Sequence, residues 1–259
     1  ITHGHADHAR SGHEHVIATV ETLEIMKERY GSNFCKKSTE LKYHEKLIIE
    51  EVKIFLAPAG HVLGSAQVVM NFANQVITVS GDYKRQDDPT CAAFEPIKSD
   101  IFITEATFAL PVFKHPNANT QINLLIKSIQ NFPERCHVIG VYSLGKAQRL
   151  IKMLRNNGWH NTIYLHGSLV KICNLYEKFG IDLGDLEPAT IQDKPEKPHD
   201  FYKGKLILAP PSALADRWSR RFPDPILGMA SGWMTVKQRA KQRGINLPLI
   251  LSDHADWNE

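Results

Sequence analysis

The sequence predicts an α/β protein with two regions that follow different patterns. Up to about residue 109, runs rich in Val and Ile, separated by Gly, Asn and Ser, indicate strands and turns around one helix. From about residue 110, segments with helical spacing of apolar residues alternate with short apolar runs. Because such alternation is typical of parallel sheets covered by helices, we predict a second region of βαβ type.

One helix and four strands are predicted in the first region. Thr19 can cap the helix, residues 21–29 form it, and Gly31 ends it. Asn74 is predicted to lie in a hairpin turn between two of the strands. The predicted strands cover residues 46–56, 67–72, 75–80 and 101–104.

Four helices and five strands are predicted in the second region. The helices are expected at residues 120–132, 145–157, 169–179 and 236–242. The strands are expected at residues 138–142, 162–165, 206–209, 227–230 and 249–251. Residues 182–203 are polar and rich in Pro, and they are predicted to form a surface connection.

The composition is that of an ordinary globular protein. Of the 259 residues, 42% are hydrophobic and 23% are charged, and no apolar run reaches the ~18 to 20 residues of a membrane-spanning helix. The four cysteines form no CxxC pair, so we predict reduced thiols in a cytoplasmic protein rather than a zinc ribbon or a disulfide framework. The net charge of +3 permits a polyanionic partner without requiring one.

The chain opens on a dense group of side chains that can ligate metal ions. Four potential ligands fall within the six residues from His3 to His8. Alternate positions of an extended segment point the same way, so His3 and His5 can bind one ion. If the chain then turns into a helix, Asp7 and His8 can face a second ion. Imidazole with carboxylate suits zinc, and also manganese or iron. A His-rich surface turn is the ordinary alternative, and the HxHxDH spacing argues against it.

Two later residues complete this set of ligands. His61 follows a predicted strand, within AGHVLG, and Asp82 ends another strand, within SGDYK. A carboxylate at the end of a strand can bridge two metal ions, as dinuclear hydrolases require. Taken alone, His61 would be an ordinary loop histidine and Asp82 a turn former. Their order after the first motif favours metal ligation instead.

With these residues the sequence resembles the metallo-β-lactamase superfamily and, within it, the β-CASP nucleases. In that group it is most similar to the bacterial DNA ligase-associated exonucleases. The resemblance spans the whole chain and rests on the stretches ITHGHADHARSGH, APAGHVLGSAQV, SGDYKRQDDPTCAAFEP, FITEATFALP, YSLGKAQRL, LAPPSA, SGWM and LSDHADW.

The resemblance implies a fold and its boundaries. The expected fold is an αββα metallo-β-lactamase sandwich, incomplete at both ends, with an inserted β-CASP domain of parallel βαβ type. The sandwich would cover residues 1–109, the β-CASP domain residues 110–246, and the return to the sandwich residues 247–259. Its first strands and its last metal ligand would then lie outside this chain, which leaves the activity of the fragment itself open.

The resemblance also implies the roles of the site residues. Glu105 stands where the family keeps an acidic residue, and His254 where it keeps a histidine near the leaving group. We predict His254, oriented by Glu105, as the general acid, and Asp7 is counted with them as catalytic. The implied metal ligands are His3, His5 and His61 for one ion, Asp7 and His8 for the other, and Asp82 between both.

Basic, aromatic and loop residues are candidates for nucleic-acid binding. Gly145 and Lys146 begin a predicted helix, where backbone N–H groups can bind a phosphate. Arg217 and Arg221 flank Trp218, and arginine beside an aromatic ring suits a nucleic-acid strand. A solvated surface residue, or a core ring in the case of a tryptophan, is the ordinary alternative. The predicted contacts are Lys84, Ser143, Gly145, Lys146, Arg217, Arg221 and Trp233.

Together these features predict a metal-dependent phosphodiester hydrolase, namely a DNA exonuclease of DNA repair. The expected cofactors are two zinc ions, with manganese as the alternative metal. The expected partners are DNA and, within the same repair system, a DNA ligase and a helicase. RNA is the first alternative substrate, because the metal motif does not separate the two polymers. The sequence is also compatible with a hydrolase of lactams, thioesters or small esters, and with a catalytically inactive scaffold subunit.

Overall fold

The structure is a computed structural model that describes residues 1–190, 198–222 and 224–259. The chain divides into two compact units, which we call unit 1 and unit 2. Unit 1 consists of Ile1–Pro111 and Asp253–Glu259, and unit 2 is Val112–Ser252. Unit 1 is thus discontinuous in sequence, and a short segment near the end of the chain returns to it. The assignment of the units to a metallo-β-lactamase domain and a β-CASP domain stays a prediction.

Unit 1 begins with a strand, helix and strand that sequence patterns predicted only in part. The helix forms as expected, because the Thr19 side chain accepts a hydrogen bond from the backbone N–H of Thr22 and Gly31 ends the last turn. The two strands beside it were not predicted, since their sequences HEHVIA and CKKSTE are mostly polar and exposed. They pair in parallel. These elements are β1 (His13–Ala18), α1 (Val20–Tyr30) and β2 (Cys35–Glu40).

A five-stranded sheet forms the rest of unit 1. Its order is β3-β4-β5-β6-β7, antiparallel except for the parallel pair β6 and β7. The hairpin between β5 and β6 turns at Asn74, as predicted, with a φ of 63°. The single strand predicted at 46–56 is wrong: Glu50, with a φ of 54°, turns the chain there into two strands. The strands are β3 (Leu47–Ile49), β4 (Val52–Pro58), β5 (Ala66–Phe72), β6 (Gln75–Val79) and β7 (Ile101–Ile103).

Unit 2 contains a six-stranded sheet in which every neighbouring pair is parallel. The strand order is β10-β9-β11-β8-β12-β13. Strands β8 and β11 are buried along their whole length, which explains their uniformly apolar sequences HVIG and LILA apart from the first histidine. The strands are β8 (His137–Gly140), β9 (Ile163–Leu165), β10 (Leu186–Pro188), β11 (Leu206–Ala209), β12 (Ile226–Ala230) and β13 (Leu247–Leu249).

Helices connect the strands of unit 2. Ile122, Leu125 and Ile129 of the first helix are buried on one face, the helical spacing that predicted it. The core beside the sheet contains Val138, Tyr164, Ile207 and other apolar side chains. Among the described residues, no helix is both long and apolar enough to span a membrane. The helices are α2 (Ala118–Asn131), α3 (Lys146–Asn156), α4 (Gly167–Lys178), α5 (Pro198–Phe201) and α6 (Lys237–Gln242).

Two predictions about unit 2 need correction. The connection predicted at 182–203 contains β10 and α5, and residues 191–197 within it lie outside the described residues. The return to unit 1 was predicted at residue 247, but β13 pairs with β12 through Gly228 and Leu247 and so belongs to the parallel sheet. The return begins at Asp253 instead.

Candidate metal centre

The first motif folds as an extended segment followed by a tight turn. The carbonyl of His5 accepts hydrogen bonds from the backbone N–H groups of His8, at 3.1 Å, and Ala9, at 2.8 Å. The chain therefore makes a turn after His5 and not the helix that was considered from the sequence. Gly4 packs against α1, where Arg29 Nη1 donates to its carbonyl at 2.7 Å. This contact fixes the backbone between His3 and His5, which is the segment that carries the first two candidate ligands.

His61 and Asp82 follow two strands of the five-stranded sheet of unit 1, β4 and β6, which lie on either side of β5. His61 follows β4 in a loop held by Ser65, whose Oγ accepts from the backbone N–H of His61 at 3.1 Å. Gly60 precedes it with a φ of +71°, and a Cβ there would stand 2.3 Å from the Lys84 carbonyl oxygen. Only glycine fits this close approach. Asp82 follows β6, so two strands of one sheet deliver a histidine and a carboxylate to the same edge.

The structure gathers four of the predicted ligands into one cluster. Ligand atoms of His3, His5, His61 and Asp82 all lie within 4.8 Å of one another. The His61 Nε2 and His5 Nδ1 atoms are 3.0 Å apart, and His3 Nε2 lies 3.5 Å from Asp82 Oδ2. Three imidazoles and one carboxylate are a donor set that zinc accepts.

The environment of the cluster fits a metal ion. His3 Nε2 is buried and has no hydrogen-bond partner within the described part of the chain. Burial, reinforced by the neighbouring histidines, holds the pKa values of His3 and His61 well below the usual range. Both imidazoles are therefore neutral, which is the form that binds metals.

A backbone carbonyl orients His61. The His61 Nδ1 atom lies 2.6 Å from the carbonyl oxygen of Asp253, so Nδ1 carries the proton and donates it. The lone pair of Nε2 then faces His5 and Asp82, at 3.0 Å and 3.7 Å. Metal-binding histidines commonly donate their second N–H in this way. Sequence reasoning missed this role of Asp253, because a carbonyl oxygen has no residue-type signal.

Asp82 also belongs to a second group, with Glu105 and His254. His254 Nδ1 lies 3.0 Å from both carboxylate oxygens of Glu105, and 3.9 Å from Asp82 Oδ2. The backbone N–H of Tyr83 donates to Glu105 Oε1 at 2.9 Å. The structure thus brings together the two residues that were predicted as the general acid and its orienting partner.

The two side chains shift each other's pKa. Burial alone would raise the pKa of Glu105, but the hydrogen bond to His254 and the N–H donors of Thr107 and Tyr83 outweigh it, and the pKa falls. Burial alone would lower the pKa of His254, but the Glu105 bond and nearby carboxylates outweigh it, and the pKa rises. The pair therefore favours a carboxylate beside an imidazolium, which is the charge state that a proton donor needs.

Asp7 and His8 are in neither of these two ligand-atom groups, although His8 lies close to Asp82. His8 Nε2 lies 3.4 Å from Asp82 Oδ1, and its ring centroid is 4.2 Å from that of His3. The Asp7 side chain is 77% exposed and lies 3.9 Å from His8 Nε2. His8 is thus positioned beside the Asp82 carboxylate, whereas Asp7 is the predicted ligand that the structure leaves at the surface.

Lys84 does not fit the predicted contact with a phosphate. Its side chain is 1% exposed, and its ammonium lies 2.8 Å from the carboxylate of Asp88, which is itself 2% exposed. Thr90 donates to the other oxygen of that carboxylate. A buried lysine held by a buried aspartate stabilises the loop after Asp82 and cannot reach a ligand in solution.

The loop before α3 also differs from the phosphate-binding loop that was predicted. The backbone N–H of Gly145 donates to Gln148 Oε1 at 2.8 Å, and Gln148 Nε2 donates back to the Ser143 carbonyl at 3.0 Å. The N–H groups of Lys146 and Ala147 donate to carbonyls within the same loop. These donors are used internally, because a buried glutamine caps the helix. Lys146 is 3% exposed, with its ammonium 5.1 Å from the Tyr142 ring centroid.

Arg217, Arg221 and Trp233 remain near the surface of unit 2. Trp233 is partly buried, with the Phe113 ring centroid at 5.1 Å and the Arg239 guanidinium 4.2 Å from its own centroid. Arg217 is exposed and Arg221 is half-buried. The structure therefore leaves the two arginines available and places Trp233 in an apolar cluster with Met229 and Met234.

Comparisons with known proteins are consistent with these features. No protein-family model matches the chain. The "Probable DNA ligase" of Opitutus terrae is 25% identical over 100% of this chain and 25% of its own length. "Cleavage and polyadenylation specificity factor 73" of Drosophila melanogaster is 33% identical over 53% of this chain and 21% of its own. "Endoribonuclease YSH1" of Gibberella zeae is 33% identical over 51% of this chain and 16% of its own.

The chain therefore spans about a quarter or less of the length of these three curated relatives. A solved structure of a protein of unknown function from Enterococcus faecalis matches with a TM-score of 0.59 and 14% identity, over 99% of this chain and 69% of that one. At that identity the match concerns the fold alone. The chain is a distant homologue of β-CASP nucleases and of a protein named as a DNA ligase, and so a relative of the metallo-β-lactamases.

Proposed function

We propose that this chain carries the reaction centre of a metal-dependent phosphodiesterase, a DNA exonuclease that acts in DNA repair. One observation carries the proposal. Buried and half-buried ligand atoms of His3, His5, His61 and Asp82 converge within 4.8 Å, and Asp82 is shared with the pair Glu105 and His254. A metal-ligand set and a proton donor that meet at one carboxylate suit hydrolysis of a charged ester.

The residues of the site have different roles in such a reaction. When bound, two metal ions lower the pKa of water and neutralise charge on the phosphate oxygens. Asp253 holds His61 in the tautomer that presents Nε2, through the 2.6 Å hydrogen bond to its carbonyl. Glu105 holds His254 through Nδ1 at 3.0 Å, so a proton passed to the leaving oxygen comes from Nε2. The hydrogen bond to Glu105 raises the pKa of His254 and so favours the protonated form that a proton donor needs.

Two classes of nucleic acid are candidate substrates. The "Probable DNA ligase" of Opitutus terrae, which matches across the whole chain, supports DNA and a link to ligation. The relatives named as endoribonucleases match about half of the chain with higher identity, and they favour RNA as the second candidate. A DNA ligase and a helicase remain the proposed protein partners.

The metal mechanism is tested with matched histidine variants. We expect His5→Ala to lose at least one bound metal ion and to lose hydrolysis, and Asp82→Asn to do the same. His13→Ala is the control, because His13 is an exposed histidine of the same segment on β1. Metal content is measured by mass spectrometry, and hydrolysis with bis(4-nitrophenyl) phosphate, with and without EDTA followed by zinc or manganese. Full metal content and activity in His5→Ala would refute the proposal.

The polymer is tested on end-labelled single and double strands of DNA and RNA with matched sequence. Stepwise shortening of DNA from one end supports a DNA exonuclease. Equal or faster cleavage of RNA would overturn the DNA assignment and support the second candidate. Tight metal binding without hydrolysis of any strand would overturn the enzymatic proposal and favour an inactive scaffold.

A further inference from the structure

The parallel sheet of unit 2 has a site where adjacent strands send their connections in opposite directions. Strand β9 connects to β10 on one side, and its neighbour β11 connects to β12 on the other. In open sheets of this kind, the crevice beyond the carboxyl ends of two such strands is the usual place for a ligand. The residues that follow β9 and β11 are therefore candidates for a binding surface.

Aromatic rings and a guanidinium meet at this site. His166 directly follows β9, and its ring centroid lies 4.8 Å from that of Trp218, on the segment after β11. The Arg221 guanidinium lies 4.8 Å from the Trp218 centroid. Arg221 also donates to the carbonyls of Trp218, at 2.9 Å, and Ala189, at 3.3 Å. Because Ala189 follows β10, the cluster crosses the carboxyl ends of three neighbouring strands.

The exposed face of this cluster is cationic. Arg217 and Arg220 are exposed, and neither side chain forms an ion pair within the described part of the chain. Asp216 is the acidic neighbour, and its carboxylate accepts from the backbone N–H of Arg217 at 2.6 Å. Burial lowers the pKa of His166, and the positive charge of Arg221 lowers it further. Three guanidinium groups thus share one short segment with a single carboxylate.

We propose that Arg217, Arg220 and Arg221, with the rings of His166 and Trp218, bind the sugar-phosphate backbone of a single nucleic-acid strand on unit 2. The inference rests on the proposed function, since it concerns how that substrate is held. Guanidinium groups bind phosphates, and partly exposed rings next to them can stack with bases that are unpaired. A duplex hides its bases from such rings, so a single strand is favoured.

The backbone contact is tested by its salt dependence. Each phosphate contact with a single strand contributes about −0.7 to the slope of log K against log salt. We expect Arg217→Ala/Arg220→Ala to reduce that slope by about 1.4 and to weaken binding of a labelled 20-mer about tenfold at low salt. Arg217→Lys/Arg220→Lys keeps both charges and should keep the slope. The control Lys127→Ala/Lys178→Ala removes two exposed lysines of α2 and α4 and should leave the slope unchanged.

Further measurements identify which nucleic acid binds and test this proposal separately from the proposed function. Single-stranded DNA, single-stranded RNA and a duplex are compared by fluorescence anisotropy, with polyglutamate as an acidic competitor. The inference would be overturned by an equal slope in Arg217→Ala/Arg220→Ala and in the Lys127→Ala/Lys178→Ala control. It would also be overturned by tighter binding of the duplex, or by full displacement of the strand by polyglutamate. Hydrolysis of bis(4-nitrophenyl) phosphate should be the same in wild type and in the Lys127→Ala/Lys178→Ala control. If wild type fails to hydrolyse that ester, the proposed function fails, while the binding slopes still decide the strand surface.

Discussion

Arg155→Ala should destabilise unit 2 more than the loss of the neighbouring charge on α3, Lys152→Ala. The guanidinium donates to four carbonyl oxygens, those of Leu183 at 2.9 Å, Trp159 at 3.0 Å, Asn161 at 2.7 Å and Asp185 at 2.8 Å. One side chain thus joins the end of α3 to the loop before β9 and to the loop before β10. A hydrogen bond to a charged group contributes about 1.5 to 3 kcal/mol, but part of that returns as water reaches the freed carbonyls.

We therefore expect Arg155→Ala to lower the free energy of unfolding by about 3 to 5 kcal/mol, and the melting temperature by about 10 to 15 °C. Urea unfolding followed by tryptophan fluorescence measures the loss. Lys152→Ala is the matched control, because Lys152 lies one turn earlier and donates a single hydrogen bond, to the Asp182 carbonyl at 2.8 Å. We expect that variant to lose about 1 kcal/mol or less. Equal losses in the two variants would refute the reasoning.

Three further predictions concern buried polar groups, each measured by urea unfolding. Burial lowers the pKa of His137 from 6.5 to about 4. As the pH falls, this histidine therefore takes up a proton in the unfolded chain before it does so in the folded one. The free energy of unfolding should then fall by up to about 3 kcal/mol between about pH 6.5 and pH 4. His137→Gln should flatten that decline, and an unchanged decline would contradict it. Asp88→Asn should cost about 3 to 5 kcal/mol by removing the negative charge beside the buried Lys84 ammonium, whereas Lys84→Met/Asp88→Leu should cost less; the opposite order would disprove the ion-pair account. Gln148→Leu should cost about 1 to 3 kcal/mol by removing the acceptor for the Gly145 N–H, and a neutral result would show that water replaces it.

Regular patterns in the sequence predicted most elements of the fold. The apolar spacing of α2 and the buried apolar runs of β8 and β11 are clear in the sequence, and all three elements were predicted. Strands β1 and β2 carry little signal because they are short, polar and exposed. The turn at Glu50 was missed because a non-glycine residue there adopts a positive φ of 54°, for which the surrounding apolar run gives no sign.

The site followed a different rule. His3, His5, His61 and Asp82 can be recognised from the sequence because their residue types and spacing are those of metal ligands. The structure brings their ligand atoms within 4.8 Å of one another. Residues that can bind a ligand only if they are exposed cannot be recognised in this way from the sequence. Lys84 looks like a phosphate ligand in sequence, but it is 1% exposed and paired with Asp88. Burial and partner choice are tertiary properties, so sequence patterns predict the chemistry at this site better than its accessible surface.

The bond between His61 Nδ1 and the Asp253 carbonyl joins positions 192 residues apart. During synthesis at about 5 to 20 residues per second, the ribosome would need roughly 10 to 40 s to reach the second partner after making the first. Throughout that interval His61 lacks the acceptor that fixes its tautomer, and His254 does not yet exist. The nascent chain would hold most of the ligand set without a finished reaction centre. The candidate metal centre therefore gains its orienting carbonyl and His254 only after all of unit 2 has been synthesised.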